Sequence, residues 1–340
     1  MTVRKNRIRL GGALLALVLS LSLVGCAVRE GSADDGRLRV VTTLFPYYDF
    51  ARAVAGDRAD VTLLLAPGRE AHSFEPTPLD AVTISRADVF IYNGGEGEVW
   101  ADDMLDAVGE DIGTVLRMMD FVDAREEEFS EGMQGADSHD HAHDHDHDHE
   151  LHDHAEHDHD DSDEVEYDEH IWTSPVNAMA LCRAICDTLC EADPDNADGY
   201  RARLEGYLDE LQALDHTFRD IVDGAARRLV VFGDRFPLLY FCKEYDLDYR
   251  AAFHGCAGDT EPSLATLKYL IDLVGAEHIP VVYTIELSSQ KVANAIAETT
   301  GAQVRTFHSC QTVSRAEFDG GATYISLMTA NAAVLKEGLS

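Results

Sequence analysis

The sequence is short of positive charge. Lys and Arg account for 27 of its 340 residues, against 63 Asp and Glu, which gives a formal net charge of −36 with His neutral. Proteins that bind nucleic acid contact its phosphates through patches of Lys and Arg, so this shortage excludes nucleic acid as a partner. The acidity instead favours a cationic partner.

Two common hydrolase motifs are also absent. The sequence contains no H-E-x-x-H zinc motif and no G-x-S-x-G nucleophile elbow. A secreted zinc hydrolase, which needs an open coordination position and a general base, is the alternative class of function. We predict that the protein is not an enzyme.

The apolar run near the N-terminus, residues 11–24, is too short to span a bilayer comfortably. It follows a basic segment and ends in Leu23-Val24-Gly25-Cys26, which is similar to a lipobox. Residues 1–25 are therefore predicted to be a signal peptide, Cys26 the lipid-bearing first residue of the mature protein, and 26–37 a polar tether. This places the protein outside the cytoplasmic membrane and anchored to it. An ordinary cleaved signal peptide with a chance cysteine is the alternative.

What the sequence has in excess is histidine alternating with Asp and Glu between residues 139 and 159. This tract has almost no apolar side chain to bury, so we predict that it lies in a disordered insertion, residues 128–168. Imidazole suits zinc, copper and nickel, which makes the tract an auxiliary metal-binding segment. A solvated charge run without a role is the alternative. The tract histidines are His139, His141, His143, His145, His147, His149, His152, His154, His157 and His159.

Short apolar runs alternate with helical patterns on both sides of this insertion, which predicts an α/β fold with parallel sheets. Strands are predicted at 38–43, 61–65, 88–92, 229–232, 281–284 and 303–307. We expect an N-terminal lobe over 38–194, a rigid connecting helix within 195–227 and a C-terminal lobe over 228–340. A ligand then binds in the cleft between the lobes, at the carboxyl ends of the strands.

Six cysteines follow Cys26. Cys182, Cys186 and Cys190 recur every four residues, so they share one helix face, which is typical of small-residue packing. Because an exported protein can form disulfides, we name Cys256 and Cys310 as the candidate pair.

Three histidines outside the tract lie where this fold places a ligand. His72 follows the second predicted strand, His170 precedes a helix that begins at Ser174-Pro175, and His308 follows the last predicted strand. Each is a candidate metal ligand, and a hydrogen-bonded loop histidine is the alternative for each. His216 and His278 lack such a setting and are predicted to be surface residues.

The motifs around these histidines resemble those of the metal-specific substrate-binding lipoproteins of ABC transporters, in particular the zinc-uptake branch. Residues 67–78 resemble P-G-x-x-x-H-x-[FY]-E-P-T-P, and 168–175 resemble D-x-H-x-W-x-S-P. Residues 261–263 and 298–302 match the E-P-S and E-x-T-G-A signatures of the second lobe. A His-rich acidic insertion between the two histidine motifs is typical of the zinc branch. The resemblance covers roughly residues 38–338.

The resemblance implies that His72 and His170 are metal ligands, with Asp168 orienting His170 and Trp172 packing beneath the site. The family takes its third ligand, His or Glu, just after the strand at 229–232, where this chain has Gly233. The fourth position, commonly Asp, holds His308. We predict a site of His72, His170 and His308 with Asp234 as the carboxylate. Glu286 and His254 are the reserve candidates.

Three imidazoles with one carboxylate or water suit tetrahedral Zn²⁺. The expected function is a high-affinity zinc receptor that delivers Zn²⁺ to an ABC permease. The tract is hypothesised to concentrate zinc, to hand it to the cleft, or to sense occupancy. The alternatives are a receptor of the same family for manganese or another divalent metal, and a secreted metal-buffering or adhesin lipoprotein.

Overall fold

A computed structural model describes residues 36–71, 73–109, 112–133, 166–255 and 262–340 of the chain. The signal peptide, Cys26, His72, Cys256 and all ten tract histidines lie outside these ranges. Residues 38–340 form one compact unit. Within the described part of the chain, no helix has the length and apolar character needed to cross a membrane.

The described residues contain two four-stranded sheets, and every strand pairing within them is parallel. The order along the first sheet is β2-β1-β3-β4 and along the second β6-β5-β7-β8. The strands are β1 (Leu38–Thr42), β2 (Ala59–Leu63), β3 (Val89–Tyr92), β4 (Thr114–Arg117), β5 (Leu229–Phe236), β6 (Asp248–His254), β7 (Val281–Thr284) and β8 (Gln303–Thr306).

Helices connect the strands and cover the sheets, as parallel strands require. They are α1 (Phe45–Ala55), α2 (Pro78–Ile84), α3 (Val99–Val108), α4 (Pro175–Ala192), α5 (Ala197–Asp223), α6 (Leu239–Glu244), α7 (Leu264–Ala276), α8 (Lys291–Thr300), α9 (Arg315–Asp319) and α10 (Tyr324–Gly338). Short 3₁₀ turns occur at Gly56–Arg58, Glu96–Glu98, Met118–Phe121, Ile171–Thr173 and Pro194–Asn196.

The long helix α5 bonds to both lobes. Its buried residues recur at spacings of three, four and seven along one face, which forms an apolar stripe. Toward the first lobe, the Arg203 guanidinium donates to the carbonyls of Val54 and Ala55 at 2.8 Å, at the end of α1. Toward the second, the Tyr245 hydroxyl donates to Asp215 at 3.1 Å. The helix is thus fixed at both ends, as a rigid connector requires.

The predicted two-lobe α/β class is confirmed, with shifts of a few residues at element ends. Two strands were missed. β4 has little apolar character and is largely exposed, and β6 mixes polar with apolar residues, so neither has the continuous apolar run expected of a buried strand.

Of the two predictions about the cysteines, one is confirmed and one is wrong. Cys182, Cys186 and Cys190 are buried on one face of α4, as predicted. The predicted Cys256–Cys310 disulfide is wrong in this structure, because Cys310 is a free buried thiol. Its sulfur faces the carbonyl of His308 within its own loop.

Candidate metal centre

His170 is held by the carboxylate of Asp168. The backbone N–H of His170 donates to Asp168 Oδ1 at 2.8 Å, and His170 Nδ1 lies 3.1 Å from the same oxygen. The side chains are 1% and 2% exposed. Because a carboxylate accepts, Nδ1 carries a proton, and in the neutral ring Nε2 is the nitrogen with the lone pair. This carboxylate–histidine pairing is the arrangement by which proteins orient zinc-ligating imidazoles.

Charge around His170 favours its protonated form. Burial lowers the pKa of His170, but the charge and hydrogen bond of Asp168 and the charges of Glu169 and Glu127 raise it by more. The net pKa therefore lies above its ordinary value. The same negative field stabilises any cation held at this position, including a metal ion.

A network of buried polar groups in the first lobe supports the loop that carries His170. Asn93 Nδ2 donates to the carbonyl of Glu169 at 3.0 Å, and Glu98 accepts from the backbone N–H groups of Asn93 at 2.6 Å and Gly94 at 3.2 Å. Burial raises the pKa of Glu98 to about 7, against these hydrogen bonds. The backbone before His170 is therefore fixed by groups on the loop that follows β3.

Trp172 packs against His170, as predicted. Their ring centroids are 5.6 Å apart at an interplanar angle of 66°, and Trp172 is fully buried. Its indole N–H donates to the carbonyl of Ser309 at 2.8 Å, and its own carbonyl accepts from the Tyr324 hydroxyl at 2.7 Å. Trp172 thereby joins the His170 loop to the loop after β8, which carries His308.

At His308, Nδ1 accepts a hydrogen bond, whereas Nδ1 of His170 donates one. The backbone N–H of Cys310 donates to His308 Nδ1 at 2.9 Å, so that nitrogen has the lone pair and the proton of the neutral ring is on Nε2. Glu317 Oε1 lies 3.9 Å from Nε2. The backbone of His308 is itself fixed by Asn331, through bonds of 2.7 Å to its N–H and carbonyl. In this tautomer Nε2 of His308 carries the proton, and among the described residues this buried atom has no hydrogen-bond partner.

The two predicted carboxylate candidates of the second lobe accept hydrogen bonds from neighbouring elements of that lobe. Asp234 accepts from the backbone N–H groups of Arg235 at 2.9 Å and Ile285 at 3.3 Å, and burial raises its pKa. Glu286 accepts from both the backbone and the hydroxyl of Ser309, at 2.7 and 2.5 Å. Both carboxylates fix loop backbone at the carboxyl end of the second sheet.

The structure gives a packing reason for glycine at 233. The pairing of β5 with β6 shifts between Phe232 and Arg235, so Gly233 lies in a bulge. A Cβ at this position would lie 2.5 Å from the Cα of Ala293 in α8. A larger ligand residue does not fit here without moving α8.

The loop that precedes His72 contacts the second lobe. The Arg235 guanidinium pairs with Glu70 at 3.0 Å, and the N–H of Gly68 donates to the carbonyl of Val313 at 2.7 Å. The chain next to His72 is thus fixed against the second lobe.

The structure contains a further imidazole–carboxylate pair, of which one member was named from the sequence. His254 Nδ1 lies 3.2 Å from Glu127 Oε1. The sequence singled out His254 as a reserve ligand and missed Glu127, because that residue lies in an acidic run that resembles a solvated surface. The two residues are 127 positions apart, so no local pattern connects them. His216 and His278 are exposed, as predicted.

The described residues do not by themselves complete a metal site. Within the described ranges, no group of three or more His, Cys, Asp or Glu side chains is placed to hold a metal ion. His170, His308 and Asp234 are therefore not gathered around one point in this arrangement. His72, which the prediction places beside His170, is outside those ranges.

Comparison with known proteins identifies relatives over nearly the whole chain. Residues 40–338 match the model of a family described as zinc-uptake complex component A, periplasmic. The zinc-binding lipoprotein AdcA of Streptococcus pneumoniae is 31% identical over 327 residues, which are 95% of this chain and 60% of AdcA. The high-affinity zinc uptake system protein ZnuA of Bacillus subtilis is 31% identical over 333 residues, 96% of each chain.

The fold has solved counterparts. The crystal structure of the Zn(II)-bound ZnuA-like domain of Streptococcus pneumoniae AdcA superimposes with a TM-score of 0.69 at 26% identity. The match covers 89% of this chain and 99% of that domain. The chain thus corresponds to the ZnuA-like domain of AdcA and spans about 60% of the length of that relative.

Proposed function

Because this chain belongs to the family of zinc-uptake component A proteins, we propose that it is an extracytoplasmic receptor that binds Zn²⁺ and delivers it to an ABC-type permease. Zinc is its cargo, and the protein acts by binding rather than by catalysis. Cys26 carries the lipid that anchors it to the membrane. The zinc-binding names of relatives with 31% identity support this proposal.

The observation that carries the proposal is the geometry of His170. Its buried ring is fixed through Nδ1 by Asp168, which leaves Nε2 as the coordinating nitrogen. The surrounding carboxylates supply negative charge that offsets the cost of burying a divalent cation. Imidazole ligands in a fixed, partly dehydrated site select zinc over harder cations such as Mn²⁺.

Of the predicted ligand set of His72, His170, His308 and Asp234, we propose that His72 and His170 bind zinc, His170 in the arrangement described, whereas His308 would join only after a rearrangement. His170 is already in the ligand tautomer. For His308 to join, its proton must leave Nε2 or its ring must turn, with loss of the Cys310 bond. Asp234 accepts one backbone hydrogen bond on each oxygen and keeps further lone pairs that could bind a metal ion.

The test is a Zn²⁺ titration of the full chain with the ten tract histidines replaced by glutamine, in competition with a chelator. The proposal predicts one tight zinc equivalent per chain and much weaker binding of Mn²⁺. Binding of less than one equivalent, or a preference for Mn²⁺, would contradict it. The unsubstituted chain, measured in parallel, gives the number of additional zinc ions that the tract holds.

A further inference from the structure

Two imidazoles of the described structure each have Nδ1 within hydrogen-bond distance of a carboxylate. His254 Nδ1 lies 3.2 Å from a Glu127 oxygen, and His170 Nδ1 lies 3.1 Å from an Asp168 oxygen. The Glu127 side chain is 7% exposed and that of His254 is 23% exposed. The carboxylate in each pair holds the proton on Nδ1, so each ring has its lone pair on Nε2. His254 is therefore in the same ligand tautomer as His170.

The two carboxylates lie on paired segments of backbone. Glu126 opposes Tyr167 in an antiparallel bridge, the N–H of Glu127 donates to the carbonyl of Glu166 at 2.9 Å, and the N–H of Asp168 donates to the carbonyl of Arg125 at 2.9 Å. This two-stranded ribbon carries Glu127 on one strand and Asp168 on the other. The ribbon therefore fixes the positions of Glu127 and Asp168 relative to each other.

The backbone that carries His254 also reaches His170. A Cβ built on Gly255 would lie 3.0 Å from His170 Cε1, so the backbone that follows His254 passes near the His170 ring. His254, Glu127 and His170 thus share one neighbourhood at the end of β6.

The other candidates of the second lobe are less suited to complete a site. His308 Nδ1 accepts from the Cys310 backbone and lies 3.6 Å from Glu286, Asp234 accepts from loop backbone, and Gly233 has no side chain. Among the described second-lobe histidines, the shortest distance from Nδ1 to a carboxylate is the 3.2 Å between His254 and Glu127.

From this geometry we propose that His254, oriented by Glu127, coordinates the same zinc ion as His170 and replaces the ligand that Gly233 cannot supply. This inference rests on the proposed zinc-receptor function and names the second-lobe ligand of its site. Glu127 is a positioning residue, which acts through the His254 ring in the way that Asp168 acts through His170.

The experiment uses the full chain with the ten tract histidines replaced by glutamine, loaded with one equivalent of Zn²⁺. Chelator competition gives the affinity, and X-ray absorption at the zinc edge counts the imidazole ligands. The variants are His254→Ala and Glu127→Gln, with the exposed His278→Ala as the matched control. His170→Asn serves as the reference for loss of a ligand. Circular dichroism of the metal-free proteins checks that each variant folds.

We expect His254→Ala to weaken zinc binding more than about a hundredfold and to remove one imidazole from the count, with His278→Ala unchanged. Glu127→Gln keeps an acceptor but loses the charge, so a loss of about tenfold with an unchanged count is expected, as for other residues that orient ligands. If His254→Ala does not fold, Glu127→Gln decides the question.

Parental affinity in either variant overturns the inference. A weaker affinity of His254→Ala with an unchanged imidazole count also overturns it, because His254 then acts only on structure. If the parent chain itself holds no tight zinc, or His170→Asn binds as the parent does, it is the proposed zinc-receptor function that fails.

Discussion

His170 and His308 are both buried histidines on loops that meet at Trp172, yet they present opposite faces to a metal ion. His170 donates from Nδ1 to a carboxylate, whereas His308 accepts at Nδ1 from a backbone N–H. In the neutral rings, Nε2 of His170 thus has the lone pair, whereas Nε2 of His308 carries the proton. The difference teaches that residue type and position are not enough to identify a zinc ligand, because the partner of the other ring nitrogen decides the tautomer.

The carboxylates near the two histidines also differ in the groups to which they bond. In the first lobe, Asp168 acts on the imidazole itself, and Glu98 fixes the loop after β3 that supports the His170 segment. In the second lobe, Asp234 and Glu286 accept from loop groups, and Glu286 Oε2 lies 3.6 Å from His308 Nδ1, which is longer than a hydrogen bond. The comparison predicts that charge changes in the first lobe affect zinc and proton binding most.

The largest expected effect concerns Glu98. Its folded-state pKa of about 7 is raised above the ordinary 4.5, so the folded state binds the proton more tightly than the unfolded state between these values. The contribution to stability is complete below pH 4.5 and declines as the pH rises towards 7, by about 3 kcal/mol. Glu98→Gln should lack this decline. Free energies of unfolding measured at pH 4 and pH 7 test it.

Glu96, which is exposed on the same turn, supplies the matched control. Glu96→Gln should keep the parental difference in unfolding free energy between the two pH values. If Glu98→Gln keeps that difference as well, Glu98 does not carry the pH dependence.

A smaller effect is expected from Asp168→Asn. The asparagine oxygen still accepts from the His170 N–H groups, but the negative charge is lost. Zinc affinity should fall about 10- to 100-fold, the usual consequence of changing a group that orients a metal ligand. Asp234→Asn, measured in the same chelator competition, should cost less. An equal or greater loss in Asp234→Asn would show that a carboxylate of the second lobe affects zinc affinity at least as much, which contradicts the comparison.

Much of this molecule could be predicted from local sequence patterns. The apolar runs of β1, β3 and β7 and the stripe along α5 gave the two-lobe fold, since burial repeats with the period of each element. The motif around His170 also located Asp168 and Trp172, because these residues lie within two positions of it.

Contacts between distant residues could not be predicted in this way. The bond between His254 and Glu127 depends on the ribbon that pairs 125–128 with 166–168, and the tautomer of His308 depends on the turn of its own loop towards Cys310. The bulge that seats Gly233 against α8 depends on the register of β5 with β6. Each of these is a property of the folded backbone and leaves no periodic signal in the sequence.

The most direct test of the account is a matched pair of substitutions, His170→Asn and His308→Asn, in the chain whose tract histidines are replaced by glutamine. Asparagine keeps a polar atom near the position of Nδ1 and lacks Nε2. Each variant therefore removes Nε2 and retains a hydrogen-bonding atom near Nδ1. The account predicts that His170→Asn weakens zinc binding more than about a hundredfold, while His308→Asn changes it less than about threefold, since four-ligand zinc sites average roughly 3 kcal/mol per ligand. A comparable loss in both variants, or a greater loss in His308→Asn, would contradict it.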